Sequence, residues 1–207
     1  LLRDIFGFNE FRPGQSEIID AVANKQNVLA IMPTGGGKSL CFQLPALMGE
    51  GLTVVISPLI ALMRDQVRGL QAAGVAAEAI TSANTEEETD KIFSALNASK
   101  LRILYLAPER LASTAMQSAL HRYNVVSLVV DEAHCVSQWG HDFRPDYLRI
   151  GELRRSLDVP LAAFTATADE ETRQEIIERL FDGIAPSSFL HGFDRPNIHF
   201  SFVVKDN

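Results

Sequence analysis

Five short runs of aliphatic and β-branched residues, at positions 27–32, 52–57, 101–106, 125–130 and 161–165, are apolar at consecutive positions instead of at every second one. A strand with one face in water alternates. A strand covered on both faces has no need to, and continuous apolar runs of this length mark parallel strands between layers of helix. The intervening segments have helical character. Pro13 stands in the first turn of a helix expected over 13–23, and a second expected helix, 38–48, leaves a glycine loop. A third, over 85–96, opens on Thr85 with Glu86, Glu87 and Glu88 in its acidic first turn, and a fourth, 169–181, is capped by Asp169. Strand and helix therefore alternate, and the expected fold class is α/β: a three-layer αβα sandwich around a mostly parallel central sheet.

With 207 residues, 46% of them hydrophobic and 22% charged, the chain can bury one substantial core. Its apolar stretches fall far short of the roughly 20 residues of a membrane span, so no membrane partner is expected. The start, Leu1-Leu2-Arg3-Asp4-Ile5-Phe6, lacks the basic and long apolar parts of a secretion signal, and without Met it reads as the start of a fragment. Pro186, Gly192 and Pro196 interrupt the pattern over 184–197, and a new strand is expected over 198–204. Residues 1–192 are thus expected to form one lobe, with 193–207 as the junction into a second. Cys41 and Cys135, far apart and in no metal-binding spacing, are expected as buried free thiols. A net charge of −7 and a pI near 5.2 argue against a broadly basic surface, so any contact with nucleic acid must be local.

The segment Met32-Pro33-Thr34-Gly35-Gly36-Gly37-Lys38-Ser39 follows an expected strand and opens an expected helix. In that context a glycine loop is a phosphate cradle, with backbone N–H groups turned inward on the phosphates. Lys38 would reach the β- and γ-phosphates, and the Ser39 hydroxyl would hold Mg²⁺. Met32 stands where the usual pattern has glycine, a departure the inner glycines and the Lys-Ser pair tolerate. The complementary acid should emerge at the tip of another buried strand, and Leu128-Val129-Val130-Asp131-Glu132-Ala133-His134 supplies it. Asp131 would bind Mg²⁺ through its water shell and Glu132 would orient and polarise the attacking water. His134 could link this site to a neighbouring strand end.

Asp131-Glu132-Ala133-His134 and Thr165-Ala166-Thr167-Ala168 resemble motifs II and III of superfamily 2 helicases, and Ser57-Pro58-Leu59 and Ala107-Pro108-Glu109-Arg110 resemble motifs Ia and Ib. Phe11-Arg12-Pro13-Gly14-Gln15, the stretch Ser137-Gln138-Trp139-Gly140-His141-Asp142-Phe143-Arg144-Pro145 and Phe193-Asp194-Arg195-Pro196-Asn197 are similar to the RecQ family, bacterial members included. The resemblance implies the first RecA-like lobe of a DNA helicase. It implies ATP and Mg²⁺ as cofactors, zinc only in regions beyond this chain, and 3′ to 5′ movement on single-stranded and partly duplex DNA in repair and recombination. It also implies single-stranded DNA-binding protein as a partner through further regions, and a place at the nucleoid of a bacterium or in a eukaryotic nucleus.

Several residues carry chemical expectations beside that resemblance. The Gln15 amide can donate to and accept from an adenine edge, while Arg12 and Phe8 could sandwich the base; Phe11 reads as core. From Trp139 to Arg144, aromatic faces suited to stacking on single-stranded bases stand beside an arginine suited to phosphates. In RecQ proteins this loop, here with Gln138, Trp139, His141, Phe143 and Arg144, couples DNA to hydrolysis. Thr165 and Thr167 at a strand end are expected to transmit the state of the acidic motif. Ser57, Arg64, Gln66 and Arg110 are candidates for contact with the backbone of the tracking strand. Two other readings stay open: an RNA helicase of the same superfamily, against which stand His134 and the aromatic loop, and, for this chain alone, a nucleotide- and strand-binding module without unwinding activity.

Overall fold

The computed structural model describes residues 1–138 and 142–191. A seven-stranded sheet runs through it, in the order β3-β4-β2-β5-β6-β1-β7. Its strands are β1 (Val28–Ile31), β2 (Leu52–Ile56), β3 (Ala77–Ile80), β4 (Ile103–Leu106), β5 (Val125–Val130), β6 (Leu161–Thr165) and β7 (Ser187–Leu190). Every pairing is parallel. The fold is the three-layer α/β sandwich expected from the apolar runs.

Because successive side chains of a strand point to opposite faces, each run feeds two cores. Val28, Ala30, Val55, Ile103, Tyr105, Val129, Ala162 and Phe164 face one side. There they meet α2 (Gln15–Ala23), α3 (Lys38–Met48) and α4 (Ile60–Ala72), with the Phe42 and Phe164 rings tilted at 59° and 5.4 Å apart. Leu29, Val54, Ile56, Leu104, Leu128, Val130 and Ala163 face the other side. They pack on α5 (Glu86–Asn97), α6 (Thr114–Arg122), α7 (Leu148–Leu157) and α8 (Glu170–Phe181). A five-residue helix, α1 (Leu2–Phe6), precedes them all.

The helix starts follow local chemistry. Thr85 caps α5 and forms a reciprocal box with Glu88, with bonds of 3.2 and 2.8 Å. The Asp169 carboxylate accepts the Thr172 N–H at 2.8 Å and caps α8. Gly151 in α7 lies against α8 so closely that an added Cβ would stand 2.2 Å from the Arg179 carbonyl oxygen. Cys41 and Cys135 are buried free thiols, and burial raises their pKa values to about 12 and about 11.

Two strands depart from expectation. β3 and β7 are the sheet edges. Alanines at 77 and 79 and serines at 187 and 188 have weak strand preference, and pairing to β4 and β1 makes up for it. β7 also corrects the expected interruption over 184–197: residues 187–190 still belong to this sheet. The strand expected over 198–204 and the junction at 193–207 lie outside the described residues. No described helix is long and apolar enough to cross a membrane.

Candidate active site

A parallel sheet brings the loops after all its strands to one rim, where ligands of α/β folds bind. The glycine loop follows β1, the acidic motif follows β5, and β6 lies between these two strands. A cleft of about 790 Å³ opens on this rim, within the size range of small-molecule sites. Thr34, Gly35, Gly37, Lys38 and Ser39 line it on one side, Asp131 and Glu132 on another, and 7–13 with Gln15 on a third.

Gly35 and Gly37 have φ of 79° and 81°, the left-handed backbone that turns the loop around its concavity. A Cβ at Gly37 would also stand 2.3 Å from the Gln15 amide nitrogen, so the loop and α2 meet without room for a side chain. Lys38 Nζ donates to the Met32 carbonyl oxygen at 3.3 Å, keeping the ammonium curled over the loop. The donor set, a hydroxyl from Ser39 and a carboxylate from Asp131, is the hard-oxygen chemistry that suits Mg²⁺. Among the described residues no cluster of three or more His, Cys, Asp or Glu side chains offers a metal site made by protein alone. Mg²⁺ commonly binds through one or two protein oxygens together with phosphate and water.

Asp131 is held from several directions. Ser57 Oγ donates to its Oδ2 at 3.1 Å, the Glu132 N–H to its Oδ1 at 3.1 Å, and Tyr147 Oη to its carbonyl oxygen at 2.9 Å. Burial, then the neighbouring Glu132 charge, push the Asp131 pKa above its ordinary value; the Ser57 and Glu132 hydrogen bonds and Lys38 pull the other way. Glu132 has φ 51° and ψ 48°, left-handed for a residue with a Cβ. His134 Nδ1 lies 3.4 Å from Glu132 Oε2 and 2.8 Å from Thr165 Oγ1. Thr165 Oγ1 in turn donates to the Thr167 carbonyl oxygen at 3.0 Å, and the Thr165 carbonyl accepts the Met32 N–H at 3.0 Å. Thr165 therefore touches both the acidic motif and the phosphate loop.

The profile of DEAD/DEAH box helicases matches residues 12–176, a span holding the glycine loop and the acidic motif that line this cleft. The chain belongs to the DEAD/DEAH box helicase family. Its relatives include the ATP-dependent DNA helicase RecQ of Haemophilus influenzae, 44% identical over 206 residues, 99% of this chain and 33% of that protein. RecQ of Bacillus subtilis is 45% identical over 211 residues, 100% of this chain and 35% of the relative. The chain thus spans about a third of the length of these relatives. In fold, this helicase lobe is similar to the Pyrococcus furiosus Hef helicase domain, with a TM-score of 0.70 and 21% identity over 95% of this chain and 41% of that one.

Other sequence-derived candidates divide by surroundings. Phe8 and Arg12 are exposed at the cleft, as is Phe11, 38% exposed, which corrects the expectation that Phe11 is core. Gln15 is only 2% exposed, and its amide is engaged within the lobe. It donates to the Gly37 and Gly36 carbonyls at 3.2 and 3.4 Å and accepts the Arg12 N–H at 2.8 Å. Arg12 itself donates to the Gly35 carbonyl. A base edge at Gln15 would have to exchange for these bonds. Ser57 corrects its expected role: it is buried and holds Asp131 instead of facing a nucleic-acid backbone. Gln66 is half-buried and accepts from Gln43 Nε2 at 2.7 Å, while the same nitrogen donates to Tyr105 Oη at 2.8 Å. Arg64 is exposed and donates to the Ala83 carbonyl; Arg110 is half-buried in the turn after β4. Thr167 lies two residues past the end of β6, not within it. Gln138 and Arg144 are exposed and Phe143 half-buried, whereas Trp139 and His141 lie outside the described residues. Sequence reasoning missed Tyr147, whose hydroxyl reaches Asp131 from sixteen residues on. Its signal, a lone tyrosine before a helix, has no functional spacing.

Proposed function

We propose that this chain is the ATP-binding lobe of a RecQ-like motor that couples ATP hydrolysis to 3′ to 5′ movement along single-stranded DNA and to unwinding of duplex. The observation that carries the reading is the meeting of Lys38, Ser39, Asp131 and Glu132 at one cleft, with His134 and Thr165 joining the acidic motif to the phosphate loop. The glycine loop binds the triphosphate through its N–H groups and Lys38. Ser39 and Asp131 would hold Mg²⁺, which would supply neutralisation of phosphate charge when bound. Glu132 orients the attacking water and takes its proton. Phe8 and Arg12 receive the base, and Gln15 gives selectivity for adenine by exchanging its bonds to Arg12, Gly36 and Gly37 for the base edge.

The DNA assignment is supported by the names of the relatives and by the RecQ-like segments at 11–15 and 137–145. Both favour it over an RNA helicase. Arg64, Arg110, Gln138, Trp139, His141, Phe143 and Arg144 are the proposed contacts and coupling groups for the tracking strand, with Thr167 beside Thr165. The chain spans about a third of the length of its relatives, so the proposal places a second motor lobe, reached through residues 193–207, in the intact protein to complete the ATP site; residues 1–207 tested alone are expected to hydrolyse ATP slowly and not to unwind duplex. Single-stranded DNA-binding protein is the proposed partner, and the nucleoid or a nucleus the proposed location.

The test uses the intact protein. Glu132→Gln is expected to keep ATP binding and lower turnover by roughly 10² to 10⁴-fold, the scale of a lost general base, whereas Lys38→Ala weakens both. Single-stranded DNA, and not RNA, is expected to stimulate hydrolysis in the unmodified protein. Unchanged turnover in the Gln variant would remove Glu132 from its role, and stimulation by RNA alone would overturn the DNA reading.

A further inference from the structure

The turn that carries the acidic motif is anchored on both sides, and one anchor comes from a residue outside every motif. After Glu132 the chain makes a 3-10 turn, Ala133–Val136, closed by Cys135 N–H to the Glu132 carbonyl at 2.9 Å and Ser137 N–H to the His134 carbonyl at 3.0 Å. The entrance is fixed by the sheet, through Asp131 N–H to the Ile56 carbonyl at 2.8 Å and through Tyr147. The exit is fixed by Glu175 on α8. A single carboxylate oxygen, Oε2, accepts Ser137 Oγ at 2.8 Å and the Gln138 N–H at 3.0 Å.

Glu175 is poorly placed for a surface acid. Its side chain is only 13% exposed, and Arg179, with which it pairs at 3.8 Å, is itself 44% exposed. Burying a carboxylate costs free energy unless hydrogen bonds replace its water, and here two donors from the end of the catalytic turn do so. The helix that presents it begins just after Thr165, the partner of His134. The contacts close a ring: Glu132 to His134, His134 to Thr165, β6 onward into α8, and Glu175 back to Ser137 and Gln138.

We propose that Glu175 is a positioning residue for ATP hydrolysis, holding the exit of the Ala133–Val136 turn so that Glu132 and His134 keep their aim at the nucleotide. This rests on the role given to Glu132 above. Left-handed backbone at Glu132 is a strained conformation, stable only when both flanks are held. Without the Glu175 carboxylate, Ser137 Oγ and the Gln138 N–H lose this acceptor, and the turn can relax away from it. Binding of nucleotide, which depends on the glycine loop, is untouched.

The experiment compares Glu175→Ala, Glu175→Gln and Glu132→Gln in the intact protein, measuring ATP turnover with and without a single-stranded oligodeoxynucleotide and the affinity for a fluorescent ADP. Glu175→Ala is expected to lower kcat by roughly tenfold, the low end of what losing its two hydrogen bonds to a charged group could cost, with KM for ATP and ADP affinity unchanged. Glu175→Gln keeps an acceptor oxygen at this place and is expected to stay within about twofold of the parent. Parallel loss of kcat and ADP affinity in Glu175→Ala, or loss as large in the Gln variant as in the Ala variant, would overturn the proposal, as would unchanged turnover in Glu175→Ala. If Glu132→Gln also turned over normally, the role of Glu132 would be at fault; if Glu132→Gln alone were inactive, only the inference about Glu175 would fall.

Discussion

Replacing Glu132 with glycine and with alanine separates the backbone cost of this position from its chemistry. Five described residues other than glycine have positive φ: Lys25, Ser99, Glu132, Asp158 and Asp182. Four of them directly follow a helix or its cap, where left-handed backbone is an ordinary way to end a helix. Glu132 is different, because it follows a strand at the cleft. A Cβ in left-handed backbone costs about 1–2 kcal/mol. Alanine in place of glycine recovers about 0.4–1 kcal/mol by restricting the unfolded chain. The difference leaves Glu132→Gly more stable than Glu132→Ala by about 1 kcal/mol, or about 2–4 °C in Tm for a chain of this size. Both variants lose the carboxylate and its 3.4 Å approach to His134, so that contribution cancels. The assay is thermal and urea unfolding of the nucleotide-free proteins, with turnover lowered alike in both. An alanine variant as stable as the glycine variant would refute the claim that the site stores strain at this residue.

Asp131 carries a related cost. Its folded-state pKa lies above the ordinary value, first because it is buried, so the penalty for its ionised form is absent below the unfolded pKa and grows as pH rises through the folded one. Asp131→Asn is therefore expected to raise Tm at neutral pH without nucleotide, by a margin that closes on acidification, while Mg²⁺ with ATP stabilises only the parent; a pH series of melting curves with no such margin would count against this. Gly151→Ala is expected to push α7 off α8, costing about 1–3 kcal/mol, because its Cβ meets the Arg179 carbonyl backbone. A Tm unchanged by that substitution would mean the two helices can separate at no cost.

The parts of the fold legible in the sequence are those whose signal is local. β1, β2, β4, β5 and β6 are buried on both faces and declare themselves as apolar runs, and Thr85 and Asp169 announce the helices they cap. β3 and β7 do not, because an edge strand of alanines or serines owes its state to the neighbour it pairs with. α4 carries a local signal of its own: Met63, Val67 and Leu70 face the core at helical spacing. At the cleft, Lys38, Ser39, Asp131 and Glu132 were readable because adjacent residues share one chemistry. Ser57, Tyr147 and Glu175 come from other elements and act by holding a neighbour, so their identities carry no spacing to read. Gln15 is legible as an amide that matters, but not that it spends its bonds on the glycine loop.

The all-parallel sheet has a practical consequence for anyone wishing to watch this lobe at work. Every connection that enters a strand lies on the rim opposite the cleft, including the exposed residues Lys25, Glu50 and Ser99. A dye, tether or surface anchor attached at Glu50 sits on the far side of the sheet from Lys38 and Glu132. Lys25 and Ser99 are less suitable anchors, since their left-handed backbone resists most replacements. Single-molecule handles are therefore best placed at the end of α3, where the lobe can be held by its back while its working rim stays open.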